Sequence, residues 1–130
     1  MERSNINPWT RSTPYGYSNA VLVEAPERWL VCSGQGALNA QGELPGSTDM
    51  GEQVRTAFNN LGLVLAHAGM SARDVVRVSF YTTDVDDFLG EVGPISEEFF
   101  GDTVPASTVL GVTRLARPDM RVEIEAVAVR

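Results

Sequence analysis

The spacing of apolar residues changes several times along the chain, and each spacing predicts an element. "NAVLVEA" (19 to 25) and "RWLVCSG" (28 to 34) are short β-type runs, and the "PER" between them supplies turn chemistry, so the two read as a hairpin. "QGALNAQGELPGSTD" (35 to 49) is rich in Gly, Asn and Pro and reads as a long loop. Helical spacing follows in Val54, Ala57, Phe58, Leu61, Val64, Leu65 and Ala68, with Thr48 or Asp49 as N-cap and Gly69 placed to end the helix. "DVVRVSFYTTD" (74 to 84) predicts a strand with Val76, Val78 and Phe80 on one face. Asp84 can cap a second helix carrying Val85, Phe88, Leu89, Val92, Ile95 and Phe99. Its Gly93-Pro94 pair should kink or delay that helix, because proline lacks the backbone donor and clashes with the preceding turn. Two strands, "ASTVLGVTRL" (106 to 115) and "RVEIEAVAV" (121 to 129), close the chain around an "ARPDM" turn. The first 16 residues, with two prolines and several Ser, Thr and Asn, read as an irregular arm.

The predicted order is therefore β-β-α-β-α-β-β, in a single domain over residues 1–130. Two helices cannot cover both faces of a sheet, so the expected class is α+β, a mixed sheet with both helices on one face. The uncovered apolar face calls for a partner, and a homo-oligomer supplies one.

Composition narrows the function classes. Seventeen acidic against ten basic residues give a net charge of −7, which disfavours a nucleic-acid binder. No run of 18 apolar residues is present, the N-terminus carries no apolar leader core, and a cytoplasmic location is the expectation. Cys32 is the only cysteine and His67 the only histidine, so no disulfide, thiolate zinc site or Cys-His pair is expected. Cys32 reads as a small buried thiol and His67 as a cation near a helix C-terminus. In the last strand Glu123 and Glu125 share a face with Val127 and Val129. Glutamates on a solvent-facing strand need no function, but one lying in a cleft could act as a general acid or base.

"YGYSNAV", "VCSGQGALNAQGEL", "QVRTAFNNLGLVLAHAGMSARDVVRVSFYTTDVDDF", "VPAST" and "VEIEAVAV" stand in the order and spacing of the RidA/YjgF family, which the chain resembles over roughly residues 16 to 130. The resemblance implies a chorismate-mutase-like subunit in a homotrimer, with small-molecule clefts between subunits. It also implies hydrolysis of reactive imines and enamines to carbonyl compounds and ammonia, with no cofactor and no metal. Some relatives are labelled endoribonucleases, a reading the acidic charge disfavours; others lack known activity, which keeps a non-catalytic binding trimer as an alternative.

Carried over residue by residue, the resemblance makes Glu123 the carboxylate that holds the water, with Glu125 as the other register. Tyr17 matches the site tyrosine, although Gly16 replaces a proline before it. Ser33 and Gly34 match a Ser-Gly-Gln turn, Phe88 an aromatic cleft wall, and Val109 a further lining position. The family's deaminases clamp the substrate carboxylate with the arginine of a Pro-Ala-Arg stretch, whereas this chain has Ser107 there. A hydroxyl offers no charge and no fork, and losing that contact removes on the order of 2–4 kcal/mol of carboxylate binding. Arg114 and Arg117 lie over about 20 Å of strand away along the same chain and read as surface charges. The expectation is an imine hydrolase whose specificity is altered by Ser107.

Overall fold

The computed structural model describes residues 1–11, 16–44 and 46–130. Residues 12–15 of the predicted arm, including Tyr15 of "YGYSNAV", and Pro45 of the predicted loop lie outside the described residues. The elements are β1 (Glu2–Ile6), β2 (Ala20–Glu24), β3 (Trp29–Gln35), α1 (Met50–His67), β4 (Val75–Thr82), α2 (Val85–Phe100), β5 (Ala106–Gly111) and β6 (Val122–Val129). A four-stranded sheet runs β3-β6-β4-β5, with β6 antiparallel to both neighbours and β5 parallel to β4 through the α2 crossover. This is the expected α+β mixed sheet.

Two expectations are corrected. Part of the predicted irregular arm is β1, paired antiparallel with β2 from Glu2↔Glu24 to Ile6↔Ala20 as a separate two-stranded ladder. Its sequence "ERSNI" is polar and gives no periodicity that would reveal a strand. The Arg3 guanidinium ties the ladder to the body, donating to the Arg73 carbonyl at 2.7 Å and the Val104 carbonyl at 3.3 Å. The predicted hairpin does not form either, since β2 pairs with β1 while β3 pairs with β6. At the junction Ala25 takes a left-handed φ of 52°, and Pro26 has no N–H to give. The N–H groups of Glu27 and Arg28 donate to the Arg130 carbonyl at 2.8 and 2.7 Å, which commits the turn to the end of β6.

The helices follow the predicted stripes. Asp49 caps α1, its carboxylate accepting from the Glu52 N–H at 2.9 Å, and Gly69 follows the helix with a φ of 70°. The expected delay does not occur, and α2 is one continuous helix with Pro94 inside it. Pro94 and Gly90, whose carbonyl loses its partner, are both exposed, so water can take the unpaired oxygen.

Val54, Ala57, Phe58, Leu61 and Leu65 of α1 and Phe88 and Ile95 of α2 meet the inner face of the sheet, Val78 and Phe80 of β4 and Val122, Ile124 and Ala126 of β6. Phe80 lies 6.0 Å from Phe58 and 5.2 Å from Phe88, ring centre to ring centre. Each fully buried Val, Leu, Ile or Phe side chain among these contributes about 1.5–3 kcal/mol by leaving water. Strand alternation turns Glu123, Glu125 and Val127 of β6, and Arg77, Ser79 and Tyr81 of β4, to the outer face. No helix covers that face, and on β3 Trp29 and Val31 remain 66% and 77% exposed.

Candidate functional site

The outer face concentrates its chemistry where β6 passes between β3 and β4. Tyr81 stands in register with Glu123, and Ser79 with Glu125. The Tyr81 hydroxyl crosses diagonally and donates to Glu125 Oε1 at 2.5 Å. That hydrogen bond, with some burial and the charge of Glu125, raises the phenol above its usual range; Ser79 and Arg77 oppose the shift more weakly. Tyr81 is therefore a neutral donor at physiological pH.

Glu123 differs from its neighbour. Its carboxylate takes no hydrogen bond from the described residues. It lies instead against the backbone of Gly34, where β3 bulges between Cys32 and Gln35. A Cβ at Gly34 would fall 2.0 Å from Glu123 Oε1 and 2.6 Å from its carboxyl carbon, so only glycine leaves room for this placement. Gly34, Tyr81, Val112, Leu115, Glu123 and Glu125 line an open cavity of about 290 Å³. The arrangement offers a free anion, a polarised phenol and two apolar walls to a small planar molecule.

The start of β6 is held by polar groups from three elements. Gln53 of α1, only 1% exposed, donates to the carbonyls of Ser47 and Asp119, both at 2.9 Å, and accepts from the Arg121 N–H at 2.8 Å. The buried Thr82 hydroxyl donates to the Arg121 carbonyl at 2.8 Å. The Arg121 side chain pairs with Asp87 at 2.8 Å and Asp84 at 3.4 Å, at the first turn of α2. The backbone two residues before Glu123 is thus fixed from α1, β4 and α2 together.

The other expected site residues are dispersed. Ser33 is exposed in the β3 bulge beside Gly34. Tyr17 is half-buried and adjoins Ser18, which bridges to Ala106 and donates its N–H to the Pro105 carbonyl at 3.1 Å, so Tyr17 stands near the start of β5 and Ser107. Ser107 and Val109 are in register with Val78 and Phe80, and Val109 packs on the core, which places both on the inner side of the edge strand. A single chain therefore does not bring Ser107 to Glu123. Phe88 is corrected from cleft wall to core residue: it is completely buried against Phe80 on the inner side of the sheet. Cys32 is 5% exposed, and burial pushes its thiol up, away from the reactive thiolate. His67 is exposed in the last turn of α1. Among the described residues, no group of three or more His, Cys, Asp or Glu side chains is placed to hold a metal.

Tyr81, Arg77 and Gln53 escaped the sequence reading. Alternation within "VSFYTT" turns Tyr81 away from Val78 and Phe80, which is a usable signal, but its register with Glu123 is tertiary information. Arg77 donates to Thr108 Oγ1 at 2.7 Å on the outer face, one residue from Ser107. Arg114 instead folds onto the carbonyls of Leu115 and Ala116.

Residues 10–130 match the family described as endoribonuclease L-PSP. The chain belongs to the RidA/YjgF family. It is 34% identical to the 2-iminobutanoate/2-iminopropanoate deaminase of Escherichia coli over 105 residues, 78% of this chain and 79% of that protein. The crystal structure of the Rid-family protein YyfB from Yersinia pestis, described as of unknown function, superposes with a TM-score of 0.89 at 36% identity, covering 100% of both chains. Escherichia coli TdcF with bound serine matches with a TM-score of 0.70 at 29% identity, over 88% of this chain and 87% of that one. The sheet and its two helices are the Rid fold.

Proposed function

We propose that this RidA-family protein hydrolyses an imine or enamine to a carbonyl compound and ammonia, in a cleft completed by a neighbouring copy of the chain. The observation that carries the reading is the Glu123 carboxylate, without a hydrogen-bond partner among the described residues, seated on Gly34 in an open cavity. Glu123 holds a water and accepts its proton as the water oxygen bonds to the C=N carbon. The nitrogen takes up a proton, the carbon–nitrogen bond breaks, and one imine plus one water become one carbonyl and one ammonia. The name of the Escherichia coli relative, an imine deaminase, supports the same chemistry.

The opposite orientation of Ser107 and Glu123 supports a shared site. Tyr17, Ser107 and Val109 of one copy would face Glu123, Gly34 and Ser33 of the next, in a homotrimer whose contacts use the outer face with Trp29 and Val31. Ser107 leaves that cleft without the family's arginine, so the substrate is not a typical 2-imino acid. The direct test is Glu123→Gln assayed for ammonia release from imines made in situ. Turnover should vanish while the oligomer and fold persist; unchanged turnover removes Glu123 from the mechanism.

A further inference from the structure

The direction of the hydrogen bond between Tyr81 and Glu125 determines what the cavity offers a ligand. A phenol has one proton, and Tyr81 spends it on Glu125 Oε1. Its oxygen keeps two lone pairs; Ser79, whose hydroxyl also interacts with this oxygen, can meet one of them. The other is open to the cavity. Glu123 contributes a carboxylate with no partner among the described residues, and Glu125 its second oxygen. The remaining side chains of the lining are the apolar Val112 and Leu115. Every free polar side-chain atom that one chain places in this lining is therefore an acceptor, and none carries positive charge. Of the nearest cations on this side, Arg77 hydrogen-bonds Thr108 while its charge still reaches Tyr81 weakly, and Arg114 folds onto the carbonyls of its own turn.

We infer that Tyr81, locked as an acceptor by Glu125, is the specificity-determining residue of the cavity, which selects imines that present N–H donors in a planar, positively charged end and carry no carboxylate. The inference rests on the imine-hydrolysis reading for its reaction and goes beyond it in naming the substrate class. A protonated imine, C=NH2⁺, supplies two coplanar N–H donors to Tyr81 and Glu125 and turns its electrophilic carbon towards the water on Glu123. A 2-imino acid would bring a third carboxylate beside Glu123 and Glu125, neither of which is in an ion pair among the described residues, and like charges at contact distance repel. The hydrolysis still balances: protonated imine plus water gives carbonyl compound plus ammonium. Amine oxidation, which converts a primary amine to an imine, is the class of reaction that must supply such a substrate.

Binding and turnover test this separately. Calorimetric titration of the wild-type oligomer with benzamidine, a planar amidinium, should show binding at least about tenfold tighter than benzoate, which matches its shape with the opposite charge. Tyr81→Phe keeps the ring and should weaken benzamidine about tenfold, whereas Tyr81→Phe in a merely structural role would leave that affinity unchanged in a folded protein. Benzoate binding as tightly as benzamidine, or Tyr81→Phe binding it like wild type, overturns the inference. In the turnover arm, benzylimine made in situ by an amine oxidase should be hydrolysed with a higher kcat/KM than 2-iminopropanoate made by an amino-acid oxidase. Tyr81→Phe should raise KM for benzylimine more than it lowers kcat. Faster turnover of 2-iminopropanoate sinks the inference and leaves the hydrolase reading standing. Turnover of neither imine, with Tyr81-dependent benzamidine binding intact, sinks the hydrolase reading and leaves the acceptor cavity standing.

Discussion

Gly34 and Glu123 occupy space that cannot hold one more carbon: a Cβ on the glycine would lie 2.0 Å from the carboxylate oxygen. The contact crosses from β3 to β6 at a bulge, so a residue in one strand decides where the other strand's carboxylate can sit. Gly34 is not among the glycines with a left-handed φ, so alanine meets no backbone strain there. Gly34→Ala should displace the Glu123 side chain into solvent, which costs little because that side chain is half-exposed and unpaired. The expected stability loss is about 1 kcal/mol or less, with ammonia release from an imine reduced at least about 100-fold. Denaturant titration beside the activity assay checks the pairing of a small stability loss with a large activity loss.

Gln53 acts on the same carboxylate from the other side of the sheet. Its amide satisfies two carbonyls and one N–H, and the N–H belongs to Arg121, two residues before Glu123. Gln53→Leu keeps the volume but takes the partner from those three part-buried backbone groups. A loss of about 2–4 kcal/mol should follow, read as a lower denaturation midpoint with an unchanged m-value. Catalysis in the surviving folded fraction should fall as well, because the strand carrying Glu123 loses its anchor.

The amphipathic helices were legible because their signals are local. Asp49 and Gly69 mark the ends of α1 in the sequence, and the apolar stripe of α1 is the buried one. Strand pairing is not local, and there the reading failed. The hairpin of β2 and β3 looked complete as a sequence, yet β3 is claimed by β6, which arrives about a hundred residues later. Phe88 could be cleft or core on spacing alone, and its packing on Phe80 decides for the core. Glu123 was recognisable from the strand's alternation and the family resemblance. Tyr81 was not, because only the register of β4 against β6 puts its ring across the two glutamates.

The phenol of Tyr81 makes the pair with Glu125 visible to a spectrophotometer. Hydrogen bonding to that carboxylate raises its pKa above the unfolded value near 10. The stabilising contribution is therefore fully present below about pH 10 and is lost as pH rises through the folded-state value. Of the three tyrosines in the chain, Tyr81 should ionise late in a titration followed by phenolate absorbance. Glu125→Gln removes both the charge and the strong acceptor, so the late phase should move down towards pH 10. An unchanged profile in that variant would mean the hydrogen bond does not persist in solution.

Ser107 tests the division of the cleft between two copies. It lies on the inner side of β5, away from Glu123 of its own chain, so an arginine there can meet a Glu123 cavity only by reaching into a neighbouring subunit. In Ser107→Arg the guanidinium would supply the charged fork that the wild-type hydroxyl lacks, worth about 2–4 kcal/mol to a substrate carboxylate. Hydrolysis of 2-aminoacrylate generated in situ should rise by at least about tenfold, with size-exclusion chromatography reporting the same oligomeric state as the wild type. Mixing Ser107→Arg/Glu123→Gln double-mutant subunits with wild-type subunits then separates the geometries. If the cleft is shared, an interface joining an arginine-bearing subunit to a Glu123-bearing wild-type neighbour gains the new activity although neither chain holds both groups. If it is confined to one chain, no mixture gains it. A Ser107→Arg protein that folds, assembles and gains nothing would transfer control of specificity to the acceptor pair of Tyr81 and Glu125.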